Sequence, residues 1–156
     1  MIISSFNEQE VVIHKGEPLP FDRPRVVICQ PTDMDRLSAE HWLEFHDHVP
    51  VFNSEYTRHA LCIQPFDGDM AVGYLLLYLL PSPYEPIKIG MVDQYFLKKP
   101  YRHSGVGREM FQLAEKVARH QGASKLTASY NLRQRHAEFF KSMGFDETHV
   151  IVAKEL

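Results

Sequence analysis

The chain has only two cysteines, Cys29 and Cys62, far apart and outside any metal-type spacing. That excludes a disulfide scaffold, and both read as reduced, buried strand residues of a cytosolic protein. Long apolar runs are also missing. The longest, residues 73–80, falls well short of the ~20 residues that span a bilayer and reads as a buried strand. Charge of either sign is not in large excess, with 17 Lys and Arg against 20 Asp and Glu and a formal net charge of −3. Such a balance gives no broad attraction to nucleic acid or anionic lipid. The opening Met1, Ile2, Ile3, Ser4 and Ser5 lack the basic and apolar regions of a signal peptide, so a cytoplasmic location is expected. Repeats and low-complexity tracts are absent. A chain of 156 residues fits one domain that buries roughly 68–70% of its unfolded surface.

Residues 1–24 form an uneven N-terminal arm, broken by Pro18, Pro20 and Pro24. Residues 25–156 carry the regular pattern. Strands are expected at 25–30, 59–64, 70–80, 87–97, 125–130 and 145–153. Helices are expected at 34–46, with Leu37, Trp42 and Phe45 facing inward, at 53–59, and at 133–143 ahead of Gly144. Residues 65–69 read as a turn cluster and residues 81–86, with three prolines, as a loop. The strongest helix follows Pro100, where Val106, Met110, Leu113, Ala114 and Val117 make one apolar stripe that Gly122 closes. Helices flanking a mixed sheet give an α/β (α+β) layered domain.

The start of that strongest helix is the candidate site. Arg102, His103, Ser104, Gly105, Val106, Gly107 and Arg108 lie between an apolar strand and an amphipathic helix. The first turn of a helix leaves N–H groups unpaired and carries partial positive charge, which together suit a pyrophosphate. Two glycines let the backbone approach phosphates closely, and Arg102 and Arg108 add charge.

Arg102-x-x-Gly105-x-Gly107 after an apolar strand resembles the acyl-CoA motif of the GCN5-related N-acetyltransferase (GNAT) superfamily. The approach through Leu97, Lys98, Lys99, Pro100 and Tyr101 is similar to that family too. So are Gly73 in a long apolar strand, Gly122, and the late Met143-Gly144-Phe145. The resemblance covers residues from about 26 onward. It implies a three-layer α-β-α fold whose mostly antiparallel sheet splays between the fourth strand (87–97) and the fifth (125–130). It implies acetyl-CoA or another acyl-CoA as cofactor, cradled by backbone N–H groups of residues 103–108. The backbone around Phe96 and Leu97 would pair with the pantetheine arm. The reaction implied is direct transfer of the acyl group to a primary amine of a small molecule or protein, without membrane or nucleic acid. A homodimer is left open.

Neutralising the amine calls for a base, and the departing thiolate benefits from an acid. The resemblance places a carboxylate on the fourth strand, where Asp93 stands, and Asp93, Tyr95 and Leu97 would share one strand face. The family's tyrosine on the last helix falls at Phe140, which cannot donate a proton. Tyr130 and His136 are the candidates to replace it. Asn131 stands near the family's asparagine, two residues early. Phe140 also keeps open a second class, a GNAT-fold binding or structural module without catalysis. A third, a toxin-type enzyme acting on charged transfer RNA, fits poorly with a net charge of −3.

Of the histidines at 41, 46, 48 and 59, His46 and His48 do not share a helix face, His41 and His48 are two turns apart, and no cysteine assists, so they are read as surface or pocket residues, with no metal site. Trp42, Phe45 and Tyr56 lie in the family's acceptor-binding region and read either as core aromatics or as pocket lining. Arg133 and Arg135 read as a solvated helix face.

Overall fold

In the computed structural model, the described residues are 23–45, 58–130 and 136–156. Strand β1 (Arg25–Cys29) leads into helix α1 (Met34–Phe45). Strands β2 (Leu61–Asp67), β3 (Met70–Ala71), β4 (Gly73–Pro81) and β5 (Lys88–Leu97) follow. A 3₁₀ turn (Lys99–Tyr101) leads to α2 (Val106–His120), β6 (Lys125–Ala128) and α3 (Ala137–Ser142). The sheet runs β1-β2-β4-β5-β6, with β3 paired to β2. Every pairing is antiparallel except β5 with β6.

Alternation along β4 sorts the core into two layers. Leu75, Leu77 and Leu79 join Ile63, Val92 and Phe140 with the α2 stripe of Val106, Met110, Leu113, Ala114 and Val117. Tyr74, Leu76 and Tyr78 join Cys62 and Phe96 with Met34 and Leu37 of α1. Helices therefore cover both faces of the sheet, in the three-layer arrangement the resemblance implied. Gly122 takes a φ of 83° just past α2 and Gly144 a φ of 86° just past α3, as expected of residues that end helices in the left-handed region.

Four expectations change. Strand β2 runs through Pro65 to Asp67, where a turn was expected. Proline cannot donate to a ladder, but the Pro65 carbonyl accepts from Val72 N at 2.9 Å, so the strand tolerates it. That same contact breaks the expected 70–80 strand in two at Val72. Residues 145–153 form no strand. Val150, Ile151 and Val152 are 82–89% exposed, and β-branched composition makes no ladder where nothing packs against it. Finally, Cys29 is only half-buried, whereas Cys62, directly opposite it in the β1–β2 register, is buried; neither is in a disulfide. The helix expected at 53–59 lies outside the described residues except for 58–59, which are in a turn.

Gly73 is needed where β4 crosses β5. A Cβ there would lie 2.4 Å from the Phe96 carbonyl oxygen and 3.2 Å from Leu97 Cα, both backbone atoms that cannot swing aside. Gly73→Ala should therefore lower stability by about 1–3 kcal/mol in urea unfolding. An unchanged midpoint would mean that the two strands can separate freely.

Candidate acyl-CoA site

Strand β5 is paired on both sides only as far as Val92. The parallel ladder with β6 ends at Val92 and Ala128, and among the described residues it is not continued along Tyr95–Leu97 on that side. The break coincides with a bulge, since Leu76 pairs with Gln94 and Leu77 with Val92, leaving Asp93 as the extra residue. The bulge interrupts the alternation, so that Val92 as well as Tyr95 and Leu97 packs with the α2 layer, and Phe96 with the α1 layer. Asp93 is close enough to Tyr74 to help raise its hydroxyl pKa, after burial and Cys62.

The chain then turns sharply into α2. His103 has a φ of 62° and Gly105 a φ of 89°, both in the left-handed region. Gly105 is the N-cap of α2 and no side chain caps the helix. The first intrahelical bond, Glu109 N to Gly105 O at 3.1 Å, leaves the amides of Val106, Gly107 and Arg108 ahead of the helical ladder. Ser104 Oγ donates back to the Tyr101 carbonyl, fixing the turn.

The two arginines expected to face a pyrophosphate are held elsewhere. Arg102 donates to both Glu44 carboxylate oxygens, at 2.5 and 2.7 Å, and through Nε to the Leu97 carbonyl at 2.6 Å. Its guanidinium lies over the rings of Phe45 and Phe96, 5.8 and 5.6 Å from their centroids. Arg108 donates to Ser142 Oγ at 2.7 Å. Among the described residues, Arg23, from the arm, is instead the cation nearest Gly105. A Cβ on Gly105 would lie 2.7 Å from Arg23 Nη2. Reading residues 1–24 as an arm outside the domain hid Arg23, because no local pattern ties an isolated arginine to a helix eighty residues on.

Around Phe140, side chains from three elements meet. Tyr95 Oη lies 3.0 Å from His136 Nδ1, and the Tyr95 ring stands edge-on to Phe140 with centroids 5.8 Å apart. Tyr130 stacks on the other side of Phe140 at 5.6 Å, and its hydroxyl donates to Glu147. Burial, with Tyr130 nearby, pushes the Tyr95 hydroxyl up, and burial, with the Arg102 charge, pulls the His136 imidazole down. Phe140 is itself buried. Tyr95 was not among the residues picked from the sequence; a tyrosine in a strand gives no signal of its own. Of the other candidates, Asn131 lies outside the described residues, as do His46, His48, Tyr56, Arg133 and Arg135. His41 is bound through Nδ1 to the Tyr74 hydroxyl at 2.6 Å and stacks on Phe96. Among the described residues, no three His, Cys, Asp or Glu side chains converge as metal ligands, and no helix is long and apolar enough to cross a membrane.

Residues 28–145 match the family model described as Acetyltransferase (GNAT) family. The chain belongs to the GNAT acetyltransferase family. Solved structures agree on the fold. A protein of Pyrococcus furiosus assigned as an acetyl transferase superposes with a TM-score of 0.73 at 15% identity, covering 86% of this chain and 100% of its own. An aminoglycoside acetyltransferase from an uncultured soil metagenomic sample gives 0.68 at 14%, covering 85% and 96%. A Trypanosoma brucei acetyltransferase gives 0.68 at 14%, covering 85% and 99%. At these identities the likeness is one of fold. A comparison with curated proteins found no match. The helix start fits the phosphates of the acyl-CoA this family uses: its first-turn amides carry no side-chain cap, and the Arg23 guanidinium lies beside Gly105.

The Arg102–Glu44 pair gives a pH signature. The hydrogen bond from Arg102 holds the Glu44 carboxyl below its ordinary 4.5, against the opposing effect of burial. A depressed folded-state value stabilises the fold above the unfolded value and loses that contribution as pH falls. Glu44→Gln should therefore lose less stability than the native chain between about pH 5 and pH 3, read by urea unfolding. Parallel profiles would show that the pair contributes nothing.

Proposed function

We propose that this chain transfers an acetyl group from acetyl-CoA to a primary amine, by direct attack with both substrates bound. The observation that carries the reading is the uncapped, left-handed start of α2 at residues 103–108, beside the end of β5 that runs past its ladder with β6. Acetyl-CoA supplies an activated acyl thioester. The amides of His103, Ser104, Gly105, Val106, Gly107 and Arg108 hold its phosphates at the positive end of α2. The free edge of β5 at Phe96 and Leu97 offers its backbone to the pantetheine arm. One lone pair of the Leu97 carbonyl is already taken by Arg102 Nε, leaving the other for the arm.

Asp93, at the bulge, is the proposed base for the amine, directly or through water. Nitrogen attacks the thioester carbonyl carbon, the C–S bond breaks, and the sulfur leaves with the electron pair. The proton for that sulfur comes from the hydroxyl and imidazole cluster that surrounds Phe140. Tyr95 donates to the departing sulfur, and His136, half-buried, returns a proton to Tyr95 from water. A phenol raised by burial stays protonated at neutral pH, as a donor must. Tyr130, whose hydroxyl is engaged by Glu147, is the outer member of the cluster. The acceptor is a small-molecule or protein amine and the location cytoplasmic.

Two measurements test this. At acetyl-CoA about 100-fold above Kd, binding should add roughly 2.7 kcal/mol, a melting shift of roughly 5–10 °C. Gly105→Glu should abolish the shift, since it places bulk and like charge on the phosphates; a normal shift in that variant would move the site elsewhere. For chemistry, hydroxylamine serves as an acceptor that is largely neutral at pH 7, so that acid assistance is read without the base. Acetylhydroxamate formation should fall by about 10²–10⁴-fold in Tyr95→Phe, with the acetyl-CoA melting shift intact. Turnover within threefold of the native chain would remove Tyr95 from the mechanism. A native chain that binds acetyl-CoA yet forms hydroxamate no faster than buffer would make this a GNAT-fold binding module.

A further inference from the structure

Arg23 sits at the wrong end of a helix. The N-terminus of α2 carries partial positive charge, which repels a guanidinium and attracts an anion. Yet Arg23 Nη2 lies where a Cβ of Gly105 would be crowded, at 2.7 Å. Its position is set by the fold, since Pro24 is buried and β1 begins at the next residue. Glu109, in the first turn of α2, pairs with Nη2 at 2.7 Å and offsets the repulsion. The offset is incomplete, because Nε is buried with no hydrogen-bond partner among the described residues. A buried charged donor without an acceptor is costly. A group with several acceptor oxygens bound at the first-turn amides would also come within reach of the guanidinium.

We propose that Arg23 is a ligand of the acyl-CoA pyrophosphate, delivered by the N-terminal segment to a cradle from which Arg102 and Arg108 are turned away. The proposal rests on the acyl-CoA reading above. Glu109 then has a second role. It holds Arg23 over the helix start before binding, and it opposes the incoming phosphates by its own charge. The two residues should act in opposite directions on affinity, which a purely structural ion pair would not do.

The test is calorimetric titration of the full chain with acetyl-CoA, and with acetyl-pantetheine, which carries the thioester arm without the pyrophosphate. Arg23→Met keeps most of the side-chain volume and removes the charge. It should weaken acetyl-CoA by about tenfold to a hundredfold, the effect of one charge-assisted hydrogen-bonding group. Its affinity for acetyl-pantetheine should stay within about twofold, since no phosphate contact is lost. Glu109→Gln should tighten acetyl-CoA by about two- to fivefold, the range of a half-exposed charge. If Arg23→Met does not fold, Arg23→Lys and Glu109→Gln carry the test, with a loss in the first and a gain in the second. A native chain that binds acetyl-CoA while Arg23→Met binds it equally well would overturn the proposal and leave the helix-start site standing. A native chain that binds no acetyl-CoA at millimolar concentration would overturn the acyl-CoA reading and this proposal with it.

Discussion

Strand β5 belongs to two sheets' worth of pairing along one half of its length and only one along the other. As far as Val92 it is hydrogen-bonded to both β4 and β6. At Asp93 a bulge adds one residue on the β4 side, and beyond it β6 is gone. A bulge bends the strand and increases its local twist, so the divergence is built into the backbone. Strand edges left open in this way are able to take an extended partner. The gap also fixes which side chains line it. Tyr95 and Leu97 turn toward the α2 layer and Phe96 toward α1, so the aromatic cluster around Phe140 lies on the same face of the sheet as α2.

At the start of α2 the amides have no side-chain cap, Arg23 stands over Gly105, and Glu109 pairs with Arg23. Arg102, the arginine of the motif, does different work. Its bonds to Glu44 and to the Leu97 carbonyl join the last turn of α1 to the open end of β5. A motif position usually read for its charge therefore acts here through its fork of donors, tying α1 to β5.

Much of this was legible in the chain. The stripe Val106, Met110, Leu113, Ala114 and Val117 has one solution, a helix against an apolar sheet, and all five are buried. Gly105, Gly122 and Gly144 mark backbone that must turn left-handed, and each does. The parts that could not be read are those decided by partners distant in sequence. Nothing local to Arg102 names Glu44, fifty-eight residues away. Nothing in the order Val92-Asp93-Gln94 announces a bulge, because alternation is broken by how β4 pairs, not by β5 itself. The run at 148–153 has strand composition, yet composition describes fit to a neighbour, and Val150, Ile151 and Val152 have none within the described residues. Arg23 was missed for the same reason.

Amide chemical shifts of the isotopically labelled chain, followed by NMR as acetyl-CoA is added, test the central claim most directly. The account predicts that the largest changes fall on residues 103–108, on the β5 amides from Tyr95 to Leu97, and on the Arg23 Nε–H, with α1 and β1 little altered. Largest changes clustered anywhere else, with residues 103–108 silent, would contradict it.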